Sequence, residues 1–348
     1  MICYLVTSDG QSTIAGYLRT RGRSFARTVR VVPYEHLPLL RSLPAGTFIF
    51  ADVERLTVAA AGQAAAVREA LTAHGAIVRV LNHPTRSMRR FELLRTLHER
   101  GVNEADVYRV ADLRAPARFP VFVRRADDHA GSLSGLLRTG AELEREIDRL
   151  TRAGARADDL IVVEFCDTAD AHGIYRKYSA FRVGDRIVPR HLLFSRDWAV
   201  KIVDLHRAAE VAEELEYVRT NPHRKELMAI FELARIEFGR IDYALREGKI
   251  QVWEINTNPI LGTFDDGGMP ARAPVIAHVT PAFAEHLRAL DQPDVPPRTL
   301  VVTTASRMEL LRRRLRFALE ALLRGCGLER YELAIMYRLG ALRRRFLG

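Results

Sequence analysis

The apolar positions of the first 85 or so residues alternate between short runs of period two and stretches of helical period. Ile2 to Val6 and Thr47 to Phe50 read as strands, Ala64 to His74 as a helix stopped by Gly75, and Ala76 to Leu81 as the next strand. This βαβ rhythm predicts a partly parallel sheet covered by helices. Further on, a helix from Arg89 to Gly101 carries Phe91, Leu94 and Leu97 on one face. Val121 to Val123 reads as a strand that runs into two arginines and the polar loop Ala126 to Ser132. A charged helix, Ala141 to Arg152, precedes the apolar strand Leu160 to Val163. Lys177 to Val183 and Arg186 to Val188 flank Gly184-Asp185 as a hairpin, and a long helix from Arg224 to Phe238 leads to a second hairpin. Gly267-Gly268-Met269-Pro270 marks a boundary after it.

Composition narrows the class. A chain of 348 residues with 48% hydrophobic and 28% charged positions is long enough for about two domains and reads as folded and water-soluble. Cys3, Cys166 and Cys326 are far apart and form neither a disulfide framework nor a metal knuckle, so a reducing compartment is expected. With no signal-like N-terminus and no apolar run near the ~18 residues of a membrane span, the expected location is the cytoplasm. The net charge of +10 is uneven: residues 297–348 hold twelve Arg against four Glu, a net of +8. Within that segment Met308 to Leu323 places Leu311, Leu315, Ala318, Leu319 and Leu322 on one helical stripe, with Arg312, Arg313 and Arg316 elsewhere. Such a helix packs on its own domain or a partner subunit, docks on the inner face of a membrane, or meets an acidic partner. With few aromatics interleaved, nucleic acid is the least expected partner. The oligomeric state is open, and a dimer fits.

The most informative stretch is Arg240 to Leu245 and Lys249 to Asn256, two strands joined by a turn containing Glu247-Gly248. Facing residues of an antiparallel hairpin have numbers of constant sum. Arg240, Asp242, Glu254 and Asn256 therefore share one face if that sum is even, which calls for an odd-length loop such as 246–248 or 247–249. On that condition two carboxylates, an amide oxygen and a guanidinium meet on one surface. Crowded carboxylates repel, and an all-oxygen donor set suits Mg²⁺, or Mn²⁺, rather than zinc. Magnesium commonly shares phosphate oxygens, which implies a nucleotide. The competing reading is a polar hairpin that faces solvent.

The run Gly239-Arg240-Ile241-Asp242-Tyr243, followed by Trp253-Glu254-Ile255-Asn256-Thr257-Asn258-Pro259, resembles the closing signature of the ATP-grasp superfamily and is most similar to that part of D-alanine:D-alanine ligases. The resemblance covers roughly residues 86–262. It implies an α+β and α/β architecture: a pre-ATP-grasp βαβ domain (1–85), an ATP-grasp N-terminal subdomain (86–165), a C-terminal subdomain with the Mg²⁺-binding hairpin (166–268) and a basic helical extension (269–348). It implies magnesium on Asp242, Glu254 and Asn256, and an oxyanion-stabilising role for Arg240. Arg90 and Arg124 stand where the family has phosphate-contacting lysines. The segment 128–134, with Gly131 and Ser132, resembles the lid over the phosphates. Glu164, Phe165, Cys166 and Asp167 match the hinge that reads adenine, with Asp167 or Asp170 as the ribose acid. Lys201 resembles the lysine sent to the terminal phosphate. Only four of the 53 basic residues are Lys, and Lys177 and Lys201 are two of them, as expected where a point charge is preferred to a fork. His191, beside Arg190, is a weaker substrate-facing candidate, and Cys166 reads as an apolar hinge residue rather than a nucleophile.

The activity implied is an ATP- and Mg²⁺-dependent ligase that joins a small-molecule or peptide carboxylate to an amine through an acylphosphate, releasing ADP and phosphate. The alternatives are an ATP-grasp kinase that phosphorylates a small molecule, and a non-catalytic nucleotide-binding module acting through its basic tail.

Overall fold

A computed structural model describes residues 1–113, 116–129, 131–200, 207–261, 270–292, 298–302 and 307–325. The first elements are β1 (Ile2–Val6), α1 (Gln11–Arg19), β2 (Val29–Pro33), β3 (Ser42–Pro44), β4 (Gly46–Phe50), α2 (Val58–Thr72) and β5 (Val78–Leu81). β1 pairs in parallel with β2 and β4, and β4 with β5, giving the order β2-β1-β4-β5. Both faces of β1 are buried, which is why its sequence is uniformly apolar rather than alternating. Ile2, Tyr4 and Val6 join the main core, while Cys3 and Leu5 pack with Ala61, Ala64 and Leu71 of α2.

The next elements are α3 (Arg90–Glu99), β6 (Val107–Arg109), β7 (Val121–Arg125), α4 (Gly140–Arg152) and β8 (Leu160–Glu164). β8 lies between β6 and β7, antiparallel to both. The strand period of two decides what each residue meets. Val121, Val123, Leu160 and Val162 pack against α4, whereas Phe122, Ile161 and Val163 join the main core with α3.

A second antiparallel sheet follows, formed by β9 (Tyr175–Val183), β10 (Arg186–Ser195), β11 (Phe238–Arg246) and β12 (Lys249–Asn256) in the order β10-β9-β11-β12, with α5 (Ala208–Thr220) and α6 (Arg224–Ala234) inserted between β10 and β11. The helix expected to reach Phe238 stops at Ala234, because Arg235 takes a left-handed φ of 55° and the chain enters β11 at Phe238. Asn82, at the end of β5, ties this sheet to the first one. Its amide group donates to the carbonyls of Phe50 and Phe238, and its oxygen accepts from the backbone of Glu237 and Phe238.

The chain then returns to its beginning. α7 (Ala273–Arg288) buries Val275, Val279 and Phe283 in the main core. β13 (Thr299–Val301) pairs antiparallel with β3, and α8 (Arg307–Gly325) contacts the segment Tyr34–Leu39. A parallel sheet followed by two antiparallel α+β units, with the small β13–β3 pair beside them, is the mixed fold class that the resemblance implies. Among the described residues no helix is long and apolar enough to cross a membrane.

Candidate active site

The β11–β12 hairpin closes through two residues, Glu247 (φ 50°) and Gly248 (φ 76°), both left-handed as a tight type I′ turn demands. This corrects the expectation of an odd-length loop. The ladder runs Arg246↔Lys249 to Tyr243↔Val252, then shifts register, so that Asp242 opposes Glu254 and Arg240 opposes Asn256. Trp253 is the extra residue of a β-bulge, which restores by a kink the parity that the short loop breaks. Across the sheet Asp242 also faces Ser179 of β9.

The side chains of Arg240, Asp242, Glu254 and Asn256 line one cavity of about 610 Å³. Asp242 accepts from Ser179 Oγ at 2.8 Å and from Arg240 Nε at 3.0 Å. Glu254 accepts from Arg90 Nη2 at 2.5 Å and Arg124 Nη2 at 3.1 Å, with His129 Nδ1 3.6 Å away. Burial pushes the Glu254 carboxyl up, but His129, Arg90 and Arg124 outweigh it and hold the group well below the usual carboxylate range. His129 reaches a second carboxylate, Glu54, through Nε2 at 3.1 Å. Burial disfavours its charge, yet Glu254 and Glu54 raise its pKa to about 9, which favours the charged ring at neutral pH, with Arg90 Nη2 3.3 Å from Nδ1. Glu54 in turn accepts from the backbone N–H and the hydroxyl of Thr257, just beyond β12.

An aromatic cluster lines the same cavity. Trp198 sits 4.9 Å from Phe122 and 5.8 Å from Phe165, centroid to centroid. Cys166, Thr168, Ala199 and Val200 line the cavity too, as does Lys177, which donates to the Val200 carbonyl at 3.1 Å. Arg124, Gly131 and Ser132 line the cavity as well. The segment after Gly131 (φ 94°) folds back along β7: Ser132 bridges to Arg124, Leu133 N–H donates to the Val123 carbonyl, and Ser134 Oγ accepts from Val123 N–H.

Five residues expected here lie elsewhere. Arg90 is buried behind Glu254, with Nη1 donating to the carbonyls of Arg125 and Ala126. Glu164 is outside the cavity lining: it accepts from Tyr108 Oη, from the backbone of Asp106 and Arg118, and from Arg118 Nε. Strand parity explains this, since Glu164 shares the phase of Leu160 and Val162, while Phe165 points the other way. Asp167 closes a local turn through Ala169 N–H, and Asp170 is committed to Arg176, which holds its carboxyl at about 2. Lys201 lies outside the described residues. His191 does not line the cavity, and burial together with Arg190, Arg240, Lys177 and Arg272 pushes its pKa well below the ordinary value, leaving a neutral ring. Burial also raises the Cys166 thiol, in keeping with an apolar hinge position.

The structure adds residues that sequence reading missed. Asp9, Gly10, Ser12 and Thr13 at the start of α1, with Arg55 and Asn258, are part of the lining. Asn258 Oδ1 accepts from Tyr4 and Thr13, and its amide donates to the Gly10 carbonyl. Asp9-Gly10 ahead of a helix was the available signal.

The donor chemistry fits a hard cation. Among the described residues no group of three or more His, Cys, Asp and Glu side chains forms a metal cage. Two opposed carboxylates and the Asn256 amide oxygen, open to one cavity, are an incomplete oxygen shell of the kind Mg²⁺ completes with phosphate and water.

No family model and no curated protein matches the sequence. Among solved structures, the D-alanine:D-alanine ligase of Bacillus anthracis is 15% identical, with a TM-score of 0.46 over 82% of this chain and 99% of that one. The ATP-grasp ligase PsnB, in a complex with a precursor variant, Mg and ADP, is 12% identical (TM-score 0.44, 83% and 97%). The L-amino acid ligase of Bacillus licheniformis is 11% identical (TM-score 0.39, 86% and 78%). The chain is thus similar to solved ATP-grasp ligases, D-alanine:D-alanine ligases among them.

Proposed function

We propose that this chain is an ATP- and Mg²⁺-dependent ligase that joins a carboxylate to an amine. The observation that carries the reading is the opposition of Asp242 and Glu254, with Arg240 and Asn256 beside them, in a cavity also lined by the Phe122–Phe165–Trp198 aromatic cluster. In this reading the aromatic cluster takes the adenine face, and the backbone at Phe165 and Cys166 reads its edge. Lys177, Arg124 and the backbone around Gly131 and Ser132 hold the phosphates in line. Asp242, Glu254 and Asn256 would hold Mg²⁺, which when bound would offset the charge of the phosphates. The substrate carboxylate enters between Arg240 and the α1 wall and takes up the γ-phosphoryl group. The amine then displaces phosphate, and the Arg240 guanidinium stabilises the oxyanion that forms as it adds. Mn²⁺ fits the same oxygen shell. The proposal includes the division at residues 85, 165 and 268, and a cytoplasmic location where ATP and Mg²⁺ are supplied.

The test is product analysis with the purified chain, ATP and Mg²⁺ across a panel of amino acids and short peptides. A ligase releases ADP and inorganic phosphate in equal amounts, only when both substrates are present, with an amide product one water lighter than their sum. Formation of ADP without free phosphate, together with a phosphorylated acceptor, would identify a kinase instead, and no ATP consumption under any condition would leave a binding module.

A further inference from the structure

Asp242 is held by two donors of different kinds. Arg240 donates to Oδ1 through Nε at 3.0 Å and to Oδ2 through Nη2 at 3.3 Å, and the Ser179 hydroxyl donates to Oδ1 at 2.8 Å. A guanidinium offsets the carboxylate's charge and so works against a cation at the same group. A neutral hydroxyl fixes the carboxylate without drawing on that charge. It engages Oδ1, and Oδ2 is left with the longer of the two Arg240 contacts. Ser179 is itself fixed. It lies opposite Asp242 in the β9–β11 register and is fully buried. Its carbonyl accepts from Tyr217 Oη at 3.0 Å, Tyr217 Oη accepts from Tyr243 Oη at 3.1 Å, and His223 Nδ1 lies 2.9 Å from Tyr243 Oη. Tyr178, the neighbour of Ser179 in β9, stacks on Tyr243 at 5.3 Å. Strand parity puts Tyr178 and Tyr243 on the face of the sheet away from Ser179 and Asp242. One face therefore carries an aromatic layer that pins the β9 backbone to α5, and the other carries the hydroxyl which that backbone aims at Asp242.

We infer that Ser179 is a positioning residue that orients the Asp242 carboxylate for a divalent cation. The inference rests on the ligase reading above, in which Asp242 is a ligand of Mg²⁺. Most side-chain hydrogen bonds go to backbone or water, whereas this one, fully buried, goes to a carboxylate that lines the cavity. Arg240 cannot serve both ends of the proposed reaction, since its guanidinium is the group that meets the oxyanion. When it turns to the substrate, the Ser179 hydroxyl still holds Asp242 in place. Removing an outer partner of a metal ligand typically costs about 10- to 100-fold in metal affinity.

The test is Mn²⁺ binding to the full chain in the presence of ADP, read from the loss of the electron paramagnetic resonance signal of the free ion, with no turnover involved. S179A is expected to weaken binding by about 10- to 100-fold. S179T, which keeps the hydroxyl on a residue type suited to a strand, is expected to recover most of it. The Kd for ADP in EDTA should be the same in wild type and S179A, which distinguishes an effect on Asp242 from a general disturbance of the cavity. Mn²⁺ affinity in S179A equal to wild type overturns the inference, as does a weakening that S179T, at the same melting temperature, does not recover. D242N tells the two levels apart. No Mn²⁺ binding by wild type, or wild-type affinity in D242N, overturns the ligase reading and this inference with it, whereas loss in D242N beside unchanged affinity in S179A removes Ser179 alone.

Discussion

Asp242 and Glu254 stand directly opposite each other across a hairpin whose loop is only two residues long, an arrangement made by the bulge at Trp253. In an uninterrupted ladder the Glu247–Gly248 turn would pair Asp242 with Trp253 and send Glu254 to the other face. The kink thus does for the site what loop length could not. It also leaves Glu254 within reach of three cationic side chains that come from α3, β7 and the segment after β7.

Glu254→Gln separates the two jobs of that carboxylate. Arg90 and Arg124 are almost fully buried, with side-chain exposures of 4% and 11%, and Glu254 is the carboxylate they share. Removing its charge leaves them uncompensated, at a cost of about 3–5 kcal/mol. Below the lowered melting point, ATP turnover at saturating Mg²⁺ should still fall by about 10²–10³. Calorimetry and a coupled ADP assay on the same preparation read both effects. Turnover that stays near wild type removes the carboxylate pair from the mechanism.

Glu164→Gln should behave in the opposite way. Its carboxylate is 2% exposed and accepts from Arg118 Nε at 3.0 Å, on the far side of β8 from the cavity. The substitution takes the charge from a buried carboxylate that accepts from an exposed arginine and two backbone N–H groups, so stability should drop by about 1–3 kcal/mol while KM for ATP stays within twofold. A large rise in KM at unchanged stability would return Glu164 to the adenine pocket.

These two glutamates show which features the sequence carried and which it did not. The pairing of Asp242, Glu254, Asn256 and Arg240 was legible because residue identity and even spacing are one-dimensional. The bulge was not, since one unpaired residue in a ladder has no composition of its own, although Glu247-Gly248 did signal a two-residue turn. Glu164 differs because a motif position carries no strand parity, and parity sets it with Leu160 and Val162. α1 went unread for a different reason. It has only nine residues and buries two of them, Ile14 and Tyr17, too few to declare a helical period. Its part of the cavity lining went unread with it.

Trp198→Ala tests the aromatic cluster. Stacking of a base on an aromatic ring contributes about 1–3 kcal/mol, so Kd for ATP should rise by about 5- to 150-fold. Titration of a fluorescent ATP analogue measures it directly, and kcat at saturating ATP should change far less. Trp198→Phe, which keeps a ring against Phe122 and Phe165, should recover most of the affinity. Equal affinity in wild type and the alanine variant would place the nucleotide elsewhere.

His129 should give the fold a limit on the alkaline side. Its pKa rises from 6.5 to about 9 because Glu54 and Glu254 favour the charged ring more than burial disfavours it. A folded-state value above the unfolded one stabilises the native state fully below about pH 6.5, and the contribution disappears as pH climbs through about 9. The difference amounts to about 3 kcal/mol. Urea unfolding of wild type at pH 6 to 10 should therefore show a decline in stability across that window that is absent from His129→Gln, the two curves converging at the alkaline end. Glu54→Gln removes one of the two carboxylates that hold the ring and should move the midpoint of the decline toward lower pH. Parallel curves for wild type and His129→Gln would mean that the imidazolium between Glu54 and Glu254 does not form in solution.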